Sequence, residues 1–123
     1  MALTLATTMR DAISDAVDAL IGTTATLELQ DSGNTEIATI TLGNPAFGAS
    51  SSGVITMAGA PLSDTNATGG VMAKFQIKSG GSTVQISGSV GTSGEDINFA
   101  GGLVVGAADT VTLTSFTITC PAS

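Results

Sequence analysis

Asp11, Asp15 and Asp18 recur at helical spacing and share one face of a helix, opposite an apolar stripe. Carboxylates in that row could bind a cation or meet a basic partner. A stripe of this kind is also the ordinary solvated side of an amphipathic helix, and that is the reading taken here. Two further clusters, Ser63-Asp64-Thr65-Asn66 and Glu95-Asp96, offer oxygen ligands of the type calcium takes. Neither follows the D-x-[DN]-x-[DN]-G calcium loop, and loop Asp and Asn more often close turns on nearby backbone. Serine is plentiful, but the chain has no His to activate it. Lys74 and Lys78 alternate with Phe75 and Ile77, so both lysines read as outward on a strand, away from any desolvated catalytic position. Cys120 is the single cysteine, which excludes an internal disulfide and a thiolate metal cluster; it reads as a small apolar filler. No glycine-rich stretch matches G-x-x-x-x-G-K-[ST], and Gly101-Gly102 precedes a strand rather than a helix. The expectation is no enzyme, no catalytic residue, no cofactor and no metal site.

Composition narrows the partners. The 123 residues carry three basic and ten acidic side chains, a net charge of −7. Three cations cannot neutralise a run of phosphates, so no nucleic acid is expected, and anionic membranes are disfavoured for the same reason. Trp and Tyr are absent, which removes the usual stacking platforms for sugars and bases. The start of the chain has no basic segment before an apolar stretch, and no run reaches the length of a membrane span. The expectation is a chain made in a cytosol and soluble there.

The elements follow from hydrophobic period. Met9, Ile13, Ala16, Val17 and Leu20 form one apolar stripe, which predicts a helix over residues 8–21. Thr8 and Asp11 read as its capping box and Gly22 as its C-terminal stop. Residues 1–7 precede it as an arm. From Thr23 the period becomes two. Strands are predicted over residues 24–30, 36–42, 54–57, 71–78 and 84–90, around Ile97 and Phe99, and over 110–120. Residues 43–53 and 60–70 read as loops, and Ser79-Gly80-Gly81-Ser82 as a hairpin turn. In the last strand the apolar phase switches from Val111 and Leu113 to Phe116 and Ile118, which predicts a bulge at Thr114–Ser115. Seven or eight short strands at this spacing predict a mainly β chain. The architecture expected is one domain over residues 1–123, an antiparallel β-sandwich of jelly-roll or immunoglobulin-like type over 23–120, with one short N-terminal α-helix. Small core side chains, with four Phe as the only aromatics, predict a thin core that gains from self-association.

Several segments in order resemble a family of small tailed-bacteriophage virion proteins of the capsid decoration, or cement, type. They are the N-terminal helix, Asn44-Pro45-Ala46-Phe47-Gly48 leading to Ser52-Gly53-Val54, and Ser63-Asp64-Thr65 before Ala67-Thr68-Gly69. They continue with Gly88-Ser89-Val90-Gly91-Thr92-Ser93-Gly94, Asp96-Ile97-Asn98 and a closing Val111-Thr112-Leu113-Thr114 and Thr119-Cys120-Pro121. The chain departs from longer relatives in a shorter stretch between Leu29 and Ile37. The resemblance implies a protein that binds the outer surface of an assembled head and bridges capsid subunits. Its implied partners are the major capsid protein and further copies of itself, as dimer or trimer. The acidic charge agrees with a place outside a DNA-filled shell. The resemblance supplies no active-site residues. The contacts expected are Leu3 and Leu5 of the arm, Pro45 and Phe47 of the first loop, and Pro61 and Leu62 of the second, because loops and termini carry surface function on sandwiches. Leu3 and Leu5 alternate and could add a strand to a neighbour's sheet edge. Another virion subunit, from tail tube, neck or fibre, and a host-directed adhesin or sugar-binding module are the competing readings.

Overall fold

The period-two runs become strands in the computed structural model, which describes residues 3–80 and 82–121. One helix, α1 (Thr7–Ile21), precedes eleven short strands. These are β1 (Thr26–Gln30), β2 (Glu36–Thr41), β3 (Val54–Thr56), β4 (Leu62–Asp64), β5 (Gly70–Val71), β6 (Lys74–Ser79), β7 (Thr83–Gly91), β8 (Ile97–Asn98), β9 (Val104–Val105), β10 (Val111–Leu113) and β11 (Thr117–Thr119). The chain is mainly β with one helix, as its composition and periodicity predict. Met1 and Ala2 of the expected arm, and Gly81 of the expected turn, lie outside the described residues.

Five strands make one curled sheet in the order β2-β1-β6-β7-β8. Leu27 faces Ile40 on one side and Ile77 on the other, and Leu29 faces Ala38 and Phe75. These six side chains are buried and define the inner face. The hairpin from β6 to β7 carries a register shift at Ile77–Lys78, so Ile86 remains inside while Val84 beyond the shift is exposed. The sheet is mixed rather than wholly antiparallel, because β8 runs parallel to β7. Three two-stranded pieces, β3–β11, β4–β10 and β5–β9, complete the chain. Phe116, between β10 and β11, has its ring 6.2 Å from that of Phe47 and 5.5 Å, edge-on, from that of Phe75.

Four local expectations are corrected. The segment 60–70, expected as loop, contains β4 and the start of β5. The phase switch at Thr114–Ser115 is a break between two strands with different partners, β10 on β4 and β11 on β3, not a bulge within one. The strand expected from Val71 begins only at Lys74; Val71 is exposed and Met72 is buried, the reverse of the expected alternation. Backbone bonds explain it: Met72 N–H goes to Leu103 and Ala73 N–H to Gln30, so the chain changes partner there. Finally, the Thr8 and Asp11 capping box does not form. The helix starts at Thr7 behind Ala6, whose extended backbone offers no side-chain acceptor. Gly22 does end the helix, at φ 82°, with its N–H on the Asp18 carbonyl.

The outer face of the sheet holds one ion pair. Lys78 Nζ donates to Glu28 Oε2 at 2.7 Å, and Gln30 Nε2 donates to Glu28 Oε1 at 2.9 Å. Burial pushes the Glu28 carboxyl up, but the hydrogen bonds from Lys78 and Gln30 and the Lys78 charge outweigh it. The net pKa lies below its ordinary 4.5. A lowered carboxylate pKa stabilises the fold above the unfolded-state value, and that contribution is lost as pH falls through the folded-state value. Glu28→Gln is therefore expected to cost under about 1 kcal/mol at neutral pH, as partly exposed pairs do. The difference from wild type should shrink as pH falls below 4.5. Urea unfolding at a series of pH values checks this; a difference that grows on acidification contradicts the pairing.

Candidate partner-binding face

The helix is turned inside out relative to its hydrophobic pattern. Its inward face holds Arg10, Asp11, Ser14, Asp18 and Ile21, with Ser14 and Ile21 fully buried. Of the three aspartates expected to face solvent, Asp15 does and Asp11 and Asp18 are half-buried, and all three hold the loop that leads into β3. Gly53 N–H donates to Asp11 Oδ1 at 2.7 Å, Ser50 N–H to Asp15 Oδ1 at 3.1 Å, and Phe47 N–H to Asp18 Oδ1 at 3.1 Å. Ser14 Oγ donates to the Gly53 carbonyl at 2.7 Å, and Arg10 Nη1 to the Ser52 carbonyl at 3.1 Å. The loop runs without a strand's ladder, so its N–H groups need acceptors, and a row of carboxylates one turn apart supplies them.

Of the expected apolar stripe only Val17 packs against the core; the rest faces out. Met9 is 54% exposed, Ile13 42% and Leu20 64%. Ala12, Ala16 and Ala19 lie between them and are also exposed. Asp15, the one exposed carboxylate of α1, borders this side next to Ala12 and Ala19. The sequence carried a signal for the inversion: Asp11, Asp15 and Asp18 repeat at the same helical period as the apolar stripe. Either stripe could face the fold, and hydropathy alone selects the wrong one.

The expected contact residues fare differently. Leu3 is 75% exposed, and Leu5 is half-buried. Pro45 and Pro61 are exposed, each after a cis peptide bond. Leu62 is half-buried in β4 and packs against the core. Phe47 is a correction: at 1% exposure its ring is core, held against Phe116, and it presents nothing to a partner.

The carboxylates considered as ligands have structural work. Asp64 accepts from Thr39 N–H and Asn66 N–H, both at 2.9 Å. Asp96 accepts from Ser89 N–H at 3.0 Å and Ser89 Oγ at 3.2 Å. Among the described residues, no group of three His, Cys, Asp or Glu converges as a metal site would. Cys120 is half-buried, and its N–H donates to the Gly53 carbonyl at 2.8 Å. A cleft of about 610 Å³ opens between residues 96–102 and 112–117. Its single titratable side chain, Asp96, is the one committed to Ser89. The chain matches no protein-family model, no curated protein and no solved structure.

Proposed function

We propose that this chain is a structural subunit of a phage virion, a decoration protein that binds the outer surface of the assembled head and bridges capsid subunits. The observation that carries the reading is the exposed apolar row of α1. A monomer that commits Asp11 and Asp18 to its own loop and leaves Met9, Ile13 and Leu20 outward offers a surface suited to cover by protein. The order of sequence segments that resembles decoration proteins supplies the virion context, and the charge of −7 favours the outside of a DNA-filled shell. Leu3 and Leu5 ahead of the helix, with Pro45 and Pro61 on exposed turns, are the contacts assigned to the capsid. We read the three two-stranded pieces as the second layer of a β-sandwich of jelly-roll or immunoglobulin-like type, since Phe116 spans between them and Phe75 of the five-stranded sheet.

Binding to the assembled shell but not to free capsid subunits stabilises the shell by mass action, and many copies multiply a modest contact. Particles lacking the protein are therefore expected to assemble yet release their DNA at lower temperature or milder osmotic shock. Adding purified protein back should restore resistance. Equal robustness with and without it, or its location inside the shell or along the tail in images of intact particles, overturns the reading.

A further inference from the structure

We infer that the outer side of α1 pairs with the α1 of a second copy, antiparallel about a twofold axis. The inference takes from the proposed function only that α1 is a protein-contact face; it does not need the capsid.

Four observations converge on a second copy as the occupant. The first is spacing. Met9, Ile13, Ala16 and Leu20 are separated by four, three and four residues, the seam of a two-helix coiled coil. The second is size. Ala16 lies in that seam and Ala12 and Ala19 flank it, and small side chains let two helix axes approach closely. An antiparallel axis midway between Ile13 and Ala16 sets Met9 against Leu20 and Ile13 against Ala16, so each large side chain meets a complementary one.

The third is charge. Two copies of a chain with net charge −7 repel across any carboxylate-bearing surface. The seam residues Met9, Ile13, Ala16 and Leu20 carry no charge, and the exposed Asp15 lies off the seam beyond Ala12 and Ala19, so the seam can meet itself. The fourth is the helix dipole. The first turn has no acidic residue and the last turn no basic one, so neither end is compensated within the chain. In an antiparallel pair each positive end lies beside the partner's negative end. A parallel pair sets like ends together.

The contact is small. Fifteen residues give a footprint of roughly 22 Å by 10 Å, well short of the roughly 800 Å² per partner of a standard interface. The pairing is accordingly weak and concentration-dependent in free solution, and it strengthens where a surface holds many copies close together.

Sedimentation from micromolar to millimolar concentration tests it. Wild type should show a reversible monomer–dimer equilibrium. Ile13→Asp and Leu20→Asp, both at exposed positions, should remain folded and shift to monomer. Val104→Asp, at an exposed apolar site outside α1, should dimerise like wild type. Orientation is read separately in a Cys120→Ser background under mild oxidation. A mixture of Met9→Cys and Leu20→Cys chains should give the mixed disulfide, and Met9→Cys alone should give little. Met9 homodisulfides in preference to mixed ones would overturn the antiparallel arrangement. A wild type that stays monomeric throughout, or a dimer untouched by Ile13→Asp, would overturn the pairing itself. A monomer that still protects capsids would leave the proposed function standing without this inference, and a dimer that fails to protect them would do the reverse.

Discussion

Phe75→Ala is expected to lower the free energy of unfolding by about 3–5 kcal/mol, while Lys74→Ala one residue away costs well under about 1 kcal/mol. Phe75 is 2% exposed and faces Leu29 across one strand boundary and Gly88 across the other. Its ring meets Phe116 edge-on, and that pair ties the five-stranded sheet to the segment between β10 and β11. The aromatic set is small, so losing one ring removes contacts that Ala and Val cannot replace. Gly88 shows how closely the site is filled: a Cβ there would run into the Phe75 ring and come within 2.6 Å of Asp96 Oδ2. Lys74, on the other face, is half-buried and leaves the core untouched when truncated. Denaturant midpoints of both variants check the claim. Equal losses would mean that the strand presents its other face to the core.

Gly53→Ala should be the second severe substitution, costing about 2–4 kcal/mol from two separate causes. Its backbone sits at φ 79°, a left-handed region that costs an L-residue roughly 1 kcal/mol or more. A Cβ would also lie 2.9 Å from the Cys120 carbonyl oxygen and 3.0 Å from Arg10 Cβ. Overpacking of that kind costs about 1–3 kcal/mol. Gly94→Ala separates the causes, since Gly94 has φ 73° with nothing near its missing Cβ. Gly94→Ala should show the backbone cost alone, and the excess in Gly53→Ala measures the crowding. The excess should come with loosened attachment of α1, because Asp11 and Ser14 both bond the Gly53 backbone. Equal stability of the two variants would show that the helix, β3 and the C-terminal strand do not meet at this glycine.

Local periodicity was enough to locate α1, β1, β2, β3, the β6–β7 hairpin and the inward placement of Phe75 and Ile77. Each of these is long enough, or alternates cleanly enough, for burial to follow from spacing. The short strands were hidden because two or three residues have no period. Only tertiary pairing defines β9, and β4 is a strand because β10 lies beside it. The parallel placement of β8 depends on the path of the turn after Gly91, which composition does not encode. The contact face failed for a different reason. Sequence logic sends carboxylates to water, and it holds when water is their best donor. Here the loop ahead of β3 offers N–H groups to all three aspartates, and those bonds draw Asp11 and Asp18 half inward. Phe47 is in the core because a large ring in a loop still gains from burial, and it finds Phe116 there.

The attachment of α1 also sets an order of events in synthesis. The helix precedes its partners by 29 residues at Asp18 and by 42 at Asp11. A fifteen-residue helix is marginal on its own in water. The nascent segment therefore fluctuates until residues 47–53 emerge, whose amides fix first Asp18, then Asp15 and Asp11, and with them which side faces out. Before that moment both stripes are open to solvent. The choice between them, and with it the face offered to any other molecule, is made by residues translated after the helix itself.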